Sequence, residues 1–317
     1  MKAVTIRDGK IVIAGHPDPE PGAGEVLVRV RAAGLNGADQ MQVRGGYPPP
    51  PGSGVPADIP GLELAGEVAA TGRNANRFAP GDRVMAVVAG AGQAELAVVH
   101  ERQLMPVPGE FGWPEAGGFP EVFMTAYDAV VNQGGLRPGD RFLVHGAAGG
   151  VGTAAVQLGA VGGARVTATV RNPASRDTVR DLGAGQVTGT DGFARHGPFD
   201  LILELVGAPN FAENLDSLAL CGRIVVIGVG AGAGAQLDLR VLMQKRGRVS
   251  ASTLRPRPLE EKAALARDLE RHVLPLAAAD RIRVPVAAVF GLDEAASAYE
   301  FFAAGGKCGK VVLTMPG

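Results

Sequence analysis

Ten residues, Leu143-Val144-His145-Gly146-Ala147-Ala148-Gly149-Gly150-Val151-Gly152, constrain this chain more than any others. Apolar residues run directly into a glycine cluster. A helical pattern then opens, with Val151, Ala155 and Leu158 on one stripe that can lie on a sheet. The order is strand, tight turn and helix N-terminus. That arrangement turns backbone N–H groups and the positive end of a helix dipole toward an anion, and it suits the pyrophosphate of a dinucleotide. The pattern is A-x-G-x-x-G, the dinucleotide fingerprint with alanine in its first position. With 47 glycines in 317 residues a chance match is easy, so the surroundings must decide.

The surroundings agree with the fingerprint. Gly162-Gly163 closes the helix, and a second strand, Arg165 to Val170, follows at once. The unit is complete within about 30 residues, the size of a βαβ motif. Roughly 20 positions past the glycines, NAD-preferring proteins place an acidic residue for the ribose 2′-hydroxyl. Here that place holds Arg171, with Arg176 one turn into the next helix. A guanidinium binds a 2′-phosphate in a fork, which favours NADPH, although solvated arginines on a surface turn remain the plain alternative.

Length suggests about two domains. An apolar content of 46% and charged content of 20% fit a soluble globular protein. The formal net charge of −1 offers no broad field for nucleic acid or anionic lipid. The N-terminus lacks the apolar core of a signal peptide, and the most apolar run, 224–235, is broken by four glycines. Cys221 and Cys308 are the only cysteines and form no paired motif. The expectation is a cytoplasmic protein with two reduced thiols, bound neither to membrane nor to nucleic acid.

Short strands are expected at Val26–Arg31, Leu62–Ala70, Arg83–Val88 and Ala94–Val99, divided by Thr71-Gly72, Pro80-Gly81-Asp82 and Gly90-Ala91-Gly92. They point to a small barrel-like domain. Pro48-Pro49-Pro50-Pro51-Gly52-Ser53-Gly54 reads as a stiff loop, and 121–133 as a linking helix. From Arg141 strands alternate with helices: strands at 142–144, 165–170, 199–203 and 223–227, helices near 174–182 and 210–218. After 248–253 come a helix (260–272), a strand (284–290), a helix (293–302) and a last strand (310–314). The fold class is α/β, a doubly wound parallel sheet of residues 121–254 plus a discontinuous barrel domain of residues 1–120 and 255–317.

Five blocks in order resemble the medium-chain dehydrogenase/reductase superfamily, and within it the zinc-free, zeta-crystallin-like quinone oxidoreductases. They are Gly34-Leu35-Asn36-Gly37-Ala38-Asp39, Arg44-Gly45-Gly46-Tyr47-Pro48, Pro60 to Val68, Pro80-Gly81-Asp82-Arg83-Val84 and Ala147 to Gly152. The resemblance covers nearly the whole chain. It implies a GroES-like catalytic barrel, a Rossmann domain, a cleft between them, and a homodimer formed through the strand at 248–253. The superfamily's zinc enzymes carry a cysteine near Asn36 or Gly37, a Gly-His-Glu where this chain has Gly61-Leu62-Glu63, and four cysteines near 90–105. Leucine cannot coordinate and the cysteines are too few, so no zinc site is expected.

Without a Lewis acid, the chemistry expected is hydride donation from NADPH to an activated acceptor, which builds negative charge on a conjugated oxygen. The resemblance makes Tyr47 the candidate donor to that charge, against simple loop packing. It gives Asn36 a contact with the nicotinamide ribose or acceptor, against an N-cap role at Gly37-Ala38-Asp39. It gives Thr125 a cofactor contact, against helix packing, and passes the backbone of Gly228 and Val229 over the nicotinamide. With Ala148, Gly149, Gly150, Val151, Arg171, Asn172 and Arg176 these make up the candidate cofactor site. His145, at the end of a strand, reads as structural, and Glu63 and Glu67 as one turn-flanked surface rather than an acid/base pair. Two departures stand out: relatives often carry a tyrosine near Thr190 and a lysine near Ser175, and this chain has neither. The leading expectation is an NADPH-dependent quinone reductase. The alternative is a reductase of an enone or 2-enoyl thioester. A cofactor-binding structural or RNA-associated role would call for a basic, aromatic-lined face, which 5% aromatics do not suggest.

Overall fold

Six strands form one all-parallel sheet in the order Gln186–Thr188, Arg165–Thr169, Arg141–Val144, Phe199–Glu204, Leu218–Val226, Arg248–Ala251. These belong to a computed structural model that describes residues 1–316. The chain runs outward from Arg141–Val144 in one direction and returns to build the other half. The sheet therefore reverses beside that strand, where doubly wound sheets bind their ligands. Buried on both faces, its strands are nearly continuous apolar runs such as Phe142-Leu143-Val144 and Leu201-Ile202-Leu203. The helix Gly150–Val161 lies close on the sheet because Gly159 carries no side chain: a Cβ there would stand 2.7 Å from Phe142 Cδ1. Gln186–Thr188 was not expected, since three residues show no alternation. Two expected helices are shorter than read: Arg176–Asp181 follows a single 3₁₀ turn at Pro173–Ser175, and Phe211–Asp216 stops before Leu218 enters its strand. The expected helix over 121–133 is an α-helix at Pro120–Tyr127 that continues as wider π-type turns over Asp128–Gln133.

The other sheet is almost wholly antiparallel. Its order is Val286–Gly291, Lys310–Thr314, Glu25–Gly34, Glu63–Thr71, Arg83–Val87, Met105–Pro106, with Leu96–His100 also pairing with Glu25–Gly34. Glu25–Gly34 serves three partners by changing register at two bulges, the kind of bend that curls a sheet toward a barrel. Inward residues Val28, Val30, Leu64, Val84 and Leu313 share a core with Tyr299 and Ala298 of the helix Ala295–Ala304. A hairpin absent from the expected strands, Lys2–Arg7 with Lys10–Gly15, turns at Asp8-Gly9, both left-handed, with φ of 51° and 69°. That dipeptide suits such a turn.

The chain divides into two compact units: Met1–Met124 with Leu254–Gly305 and the residues from Gly309 on, and Thr125–Thr253 with Gly306–Cys308. The short loan 306–308 is tied down by Asn172, whose Nδ2 donates to the Gly306 carbonyl at 2.8 Å. Among the described residues no helix is long and apolar enough to cross a membrane.

Candidate active site

In the barrel unit, polar residues from distant parts of the sequence meet at the start of the helix Gly37–Val43. The Asp39 carboxylate accepts hydrogen bonds from Asn36 N at 2.8 Å, Gly61 N at 3.2 Å and Gln93 Nε2 at 3.3 Å. Asp39 thus reaches back to satisfy the backbone at the helix start, and the Asn36 side chain is free to turn elsewhere. Its Nδ2 donates to Glu63 Oε1 at 2.9 Å and to the Gly34 carbonyl at 3.3 Å, while its Oδ1 accepts from Lys310 Nζ at 2.7 Å. Asn36 is thus the extended N-cap residue of the helix, as the alternative reading expected, while its amide also joins Glu63 and Lys310. With both amide hydrogens engaged, Asn36 can offer a ligand only a remaining lone pair on Oδ1. It suits a hydroxyl such as a ribose's better than an oxyanion.

Lys310 and Glu63 hold this amide in place. Lys310 is 3% exposed and donates to Leu35 O, Asn36 Oδ1 and Glu63 Oε1 at 2.8, 2.7 and 2.6 Å, which uses all three of its hydrogens. Glu63 is fully buried, and its Oε2 accepts from Glu121 N at 2.8 Å. This corrects the surface expected for Glu63 and Glu67. Only Glu67 lies outward, paired with Arg31 at 2.8 Å. The alternation in Glu63–Thr71 breaks down at its first residues, which are buried throughout. Burial pushes Asp39 up to about 7, with Glu63 adding to the rise and the Asn36 N–H and Lys310 opposing it. Its neighbour Gln93 accepts from the Tyr299 hydroxyl at 2.9 Å.

Tyr47 sits on the proline-rich loop after this helix, half-buried. Among the described residues its hydroxyl has no hydrogen-bond partner. Burial raises the phenol's pKa, as does the Glu121 carboxylate, so it keeps its proton at neutral pH. The Arg255 guanidinium lies over its ring, 5.0 Å from the centroid.

In the sheet unit, Gly146 takes the left-handed conformation at the end of Arg141–Val144, with φ of 60°. Ala147 donates its N–H to Thr169 O at 3.1 Å, fully buried. Alanine is thus tolerated at the first fingerprint position because the glycine before it makes the turn. Ala148 follows, Gly149 begins the helix as its extended N-cap, and Gly150 and Val151 form its first turn. A Cβ on Gly152 would stand 2.4 Å from Gly146 O, so the helix can approach the turn only with glycine there. Arg171 is exposed after the second strand. Asn172 caps the turn at Pro173, its Oδ1 accepting from Ala174 N at 3.1 Å. Arg176 opens the helix Arg176–Asp181, and its buried Nε has no hydrogen-bond partner among the described residues. Its Nη2 would lie 3.7 Å from a Cβ placed on Gly189.

Thr125 is 8% exposed in the helix Pro120–Tyr127. Gly228 follows Leu218–Val226, its N–H donating to Glu204 O at 3.1 Å, and a Cβ there would meet Leu205 O at 2.4 Å. Val229 is 44% exposed. His145 is buried and structural: its Nδ1 bonds the Thr169 hydroxyl at 3.0 Å and its Nε2 the Asn214 amide oxygen at 2.7 Å, with Phe193 edge-on. Burial holds its pKa down, so the ring is neutral. Asn214 in turn donates to Glu204 at 2.7 Å, and Glu204 accepts the N–H groups of Val206 and Gly207. Sequence reasoning missed Asp39, Glu63, Gln93, Arg255 and Lys310 as parts of the site. The one available signal was a lysine opening an otherwise apolar strand, Lys310-Val311-Val312-Leu313.

Residues 22–135 match the alcohol dehydrogenase GroES-like domain family, and residues 177–313 the zinc-binding dehydrogenase family. Among the described residues no group of three or more His, Cys, Asp or Glu is placed to hold a metal. The chain is 34% identical over 315 residues to the spectinabilin polyketide synthase system protein NorB of Streptomyces orinoci, which aligns with 95% of this chain. The chain spans 14% or less of the polyketide synthases it matches. It is 30% identical to acryloyl-coenzyme A reductase of Metallosphaera sedula, over 99% of this chain and 100% of that protein. With a quinone oxidoreductase of Lama guanicoe it shares 28% identity over 94% of this chain and 91% of that protein. Among solved structures, an NAD-dependent alcohol dehydrogenase superposes with a TM-score of 0.86 at 28% identity, covering 100% of both chains.

Proposed function

The chain belongs to the medium-chain dehydrogenase/reductase family, and from that premise we propose that it reduces the carbon–carbon double bond of a 2-enoyl thioester with NADPH. When bound, the cofactor supplies a hydride. The residues from Gly146 to Gly152 would hold its pyrophosphate, and Arg171 and Arg176 its 2′-phosphate. The single observation that carries the reading is the Tyr47 hydroxyl, a proton donor that no other described residue engages.

Reducing a conjugated double bond requires a proton at a defined carbon as well as a hydride. A quinone takes its protons on oxygens that water can reach, so it has less need of a fixed acid. A phenol held protonated by burial and by Glu121 meets the first need. Asn36, fixed by Glu63 and Lys310, would offer its Oδ1 to a hydroxyl of a bound ligand and so help to orient it. The acryloyl-coenzyme A reductase relative, whose named substrate is an enoyl thioester, supports this reading. The quinone oxidoreductase relative keeps a quinone acceptor as the second reading.

The test is NADPH oxidation with a short 2-enoyl-CoA thioester and a benzoquinone, using wild type and Tyr47→Phe. The variant is expected to lose about 10²-fold in kcat on the thioester and less than about tenfold on the quinone. Equal activity of both proteins on every acceptor would remove Tyr47 from the mechanism, and turnover of quinone alone would favour the second reading.

A further inference from the structure

Arg255 is 4% exposed, yet the three acceptors of its guanidinium are neutral. Nε donates to Ala89 O at 2.7 Å, one Nη to Tyr47 O at 2.6 Å and the other to Gln42 Oε1 at 2.8 Å. A buried cation is ordinarily matched by a carboxylate within hydrogen-bond reach. Here what the guanidinium faces at close range, besides carbonyl dipoles, is the π face of Tyr47. The loop bearing Tyr47 is otherwise tied to the barrel mainly at its far end, where Ala57 O accepts from Gln42 Nε2, Asp58 O from Ile6 N and Ile59 O from Ala91 N. Between Val43 and Glu63 the chain forms neither helix nor strand, and Gly52 and Gly54 are both left-handed.

We infer that Arg255 is the positioning residue for Tyr47: it clamps the tyrosine's backbone to the barrel and sets a fixed positive charge against the ring from which the proton departs. The inference rests on the reading of Tyr47 as proton donor given above. In that step the O–H bond of Tyr47 breaks and its proton forms a C–H bond at the α-carbon of the acceptor, the hydride being the cofactor's share. The electron pair stays on the phenolate oxygen, and water restores the proton after turnover. The phenolate would be left in a partly buried site near the Glu121 carboxylate, with Lys262 and Asp39 the other ionisable groups that act on this cluster. Of these, Arg255 is the cation stacked on the ring, and its charge favours the phenolate. Three anchors at fixed angles also explain why an arginine stands here, since a lysine could not hold Ala89, Tyr47 and Gln42 in one plane.

The experiment is a double-mutant cycle of Arg255→Met and Arg255→Lys with Tyr47→Phe, read on the 2-enoyl-CoA thioester. Arg255→Met is expected to lower kcat about 30- to 100-fold while the NADPH Kd, from fluorescence titration, stays within about twofold. Its solvent deuterium isotope effect on kcat should rise. In the Tyr47→Phe background the same change should cost less than about threefold, because the group it serves is gone. Arg255→Lys should recover part of the rate by keeping the charge. Losses that multiply across the cycle, or an unchanged isotope effect, would overturn the inference. If Arg255→Met does not fold, the Arg255→Lys arm of the cycle decides by the same criterion. If wild type reduces no acceptor, the reading under Proposed function fails by itself. Tyrosinate absorbance, wild type minus Tyr47→Phe, then reads the pairing directly: removing or moving the guanidinium should shift the Tyr47 titration to higher pH, and no shift would overturn it.

Discussion

The two units build their polar sites by opposite means. The barrel unit gathers side chains: Asn36, Glu63 and Lys310 come from three strands or strand ends, and Lys310 reaches Asn36 across 274 positions of sequence. The sheet unit uses backbone: Gly146, Ala147, Gly149 and Gly152 lie within seven residues, and the missing side chain at Gly152 leaves room for the turn. A side-chain network buries charge, and so places large energies on single contacts. A backbone cradle buries none, and its sensitivity lies in one missing methyl group. The units should therefore fail differently when altered, one in stability and the other in ligand binding.

The largest effect expected is from Lys310→Met, which leaves the fully buried Glu63 carboxylate without its ammonium partner. It should cost about 3–5 kcal/mol in urea unfolding. Adding Glu63→Gln, which removes the orphaned charge and keeps an acceptor for Asn36, should recover about half of that. A loss below about 1 kcal/mol for Lys310→Met would mean the pair contributes as little as a surface one.

Asp39 supplies a pH signature of the same network. Its folded pKa of about 7 lies above its ordinary value of 3.8, so the folded state binds the proton more tightly. Its contribution is complete below pH 3.8 and is lost as pH rises through about 7. At about 1.4 kcal/mol per unit the loss is up to about 4 kcal/mol. Asp39→Asn should flatten that part of the stability-against-pH curve measured by denaturant unfolding. An unchanged slope would place the titration elsewhere.

The sheet unit should respond in binding. Gly152→Ala forces its new Cβ against Gly146 O, and moving the turn should weaken NADPH about 30- to 100-fold by fluorescence titration. A normal Kd would show that the turn is not where the pyrophosphate rests. The smallest effect belongs to Arg176→Ala: about tenfold weaker NADPH and less than about twofold for NADH. Equal weakening of both would remove Arg176 from 2′-phosphate recognition.

The same contrast explains what could be read in the chain. The glycine turn, the strand–helix alternation and the four-proline loop were legible because each is written in adjacent residues. Gln186–Thr188 and the Asp8-Gly9 hairpin were passed over, the first for lack of length, the second because its signal is two residues. Glu63 was misread as exposed because burial of its carboxylate depends on Lys310, 247 positions away, and no local pattern records that pairing. Arg255 could not be recognised for the same reason: its partners Gln42, Tyr47 and Ala89 all lie more than 160 residues earlier.

By itself the sequence determined the doubly wound sheet and the glycine turn at its reversal, because glycine spacing and apolar runs act over a few positions. Only the tertiary structure decided that Asn36 is an acceptor, that a lysine and a glutamate are buried to fix it, and that an arginine clamps the tyrosine. Those outcomes depend on which distant charges share a water-poor interior, where a partner 2.6 Å away outweighs anything the neighbouring sequence can supply.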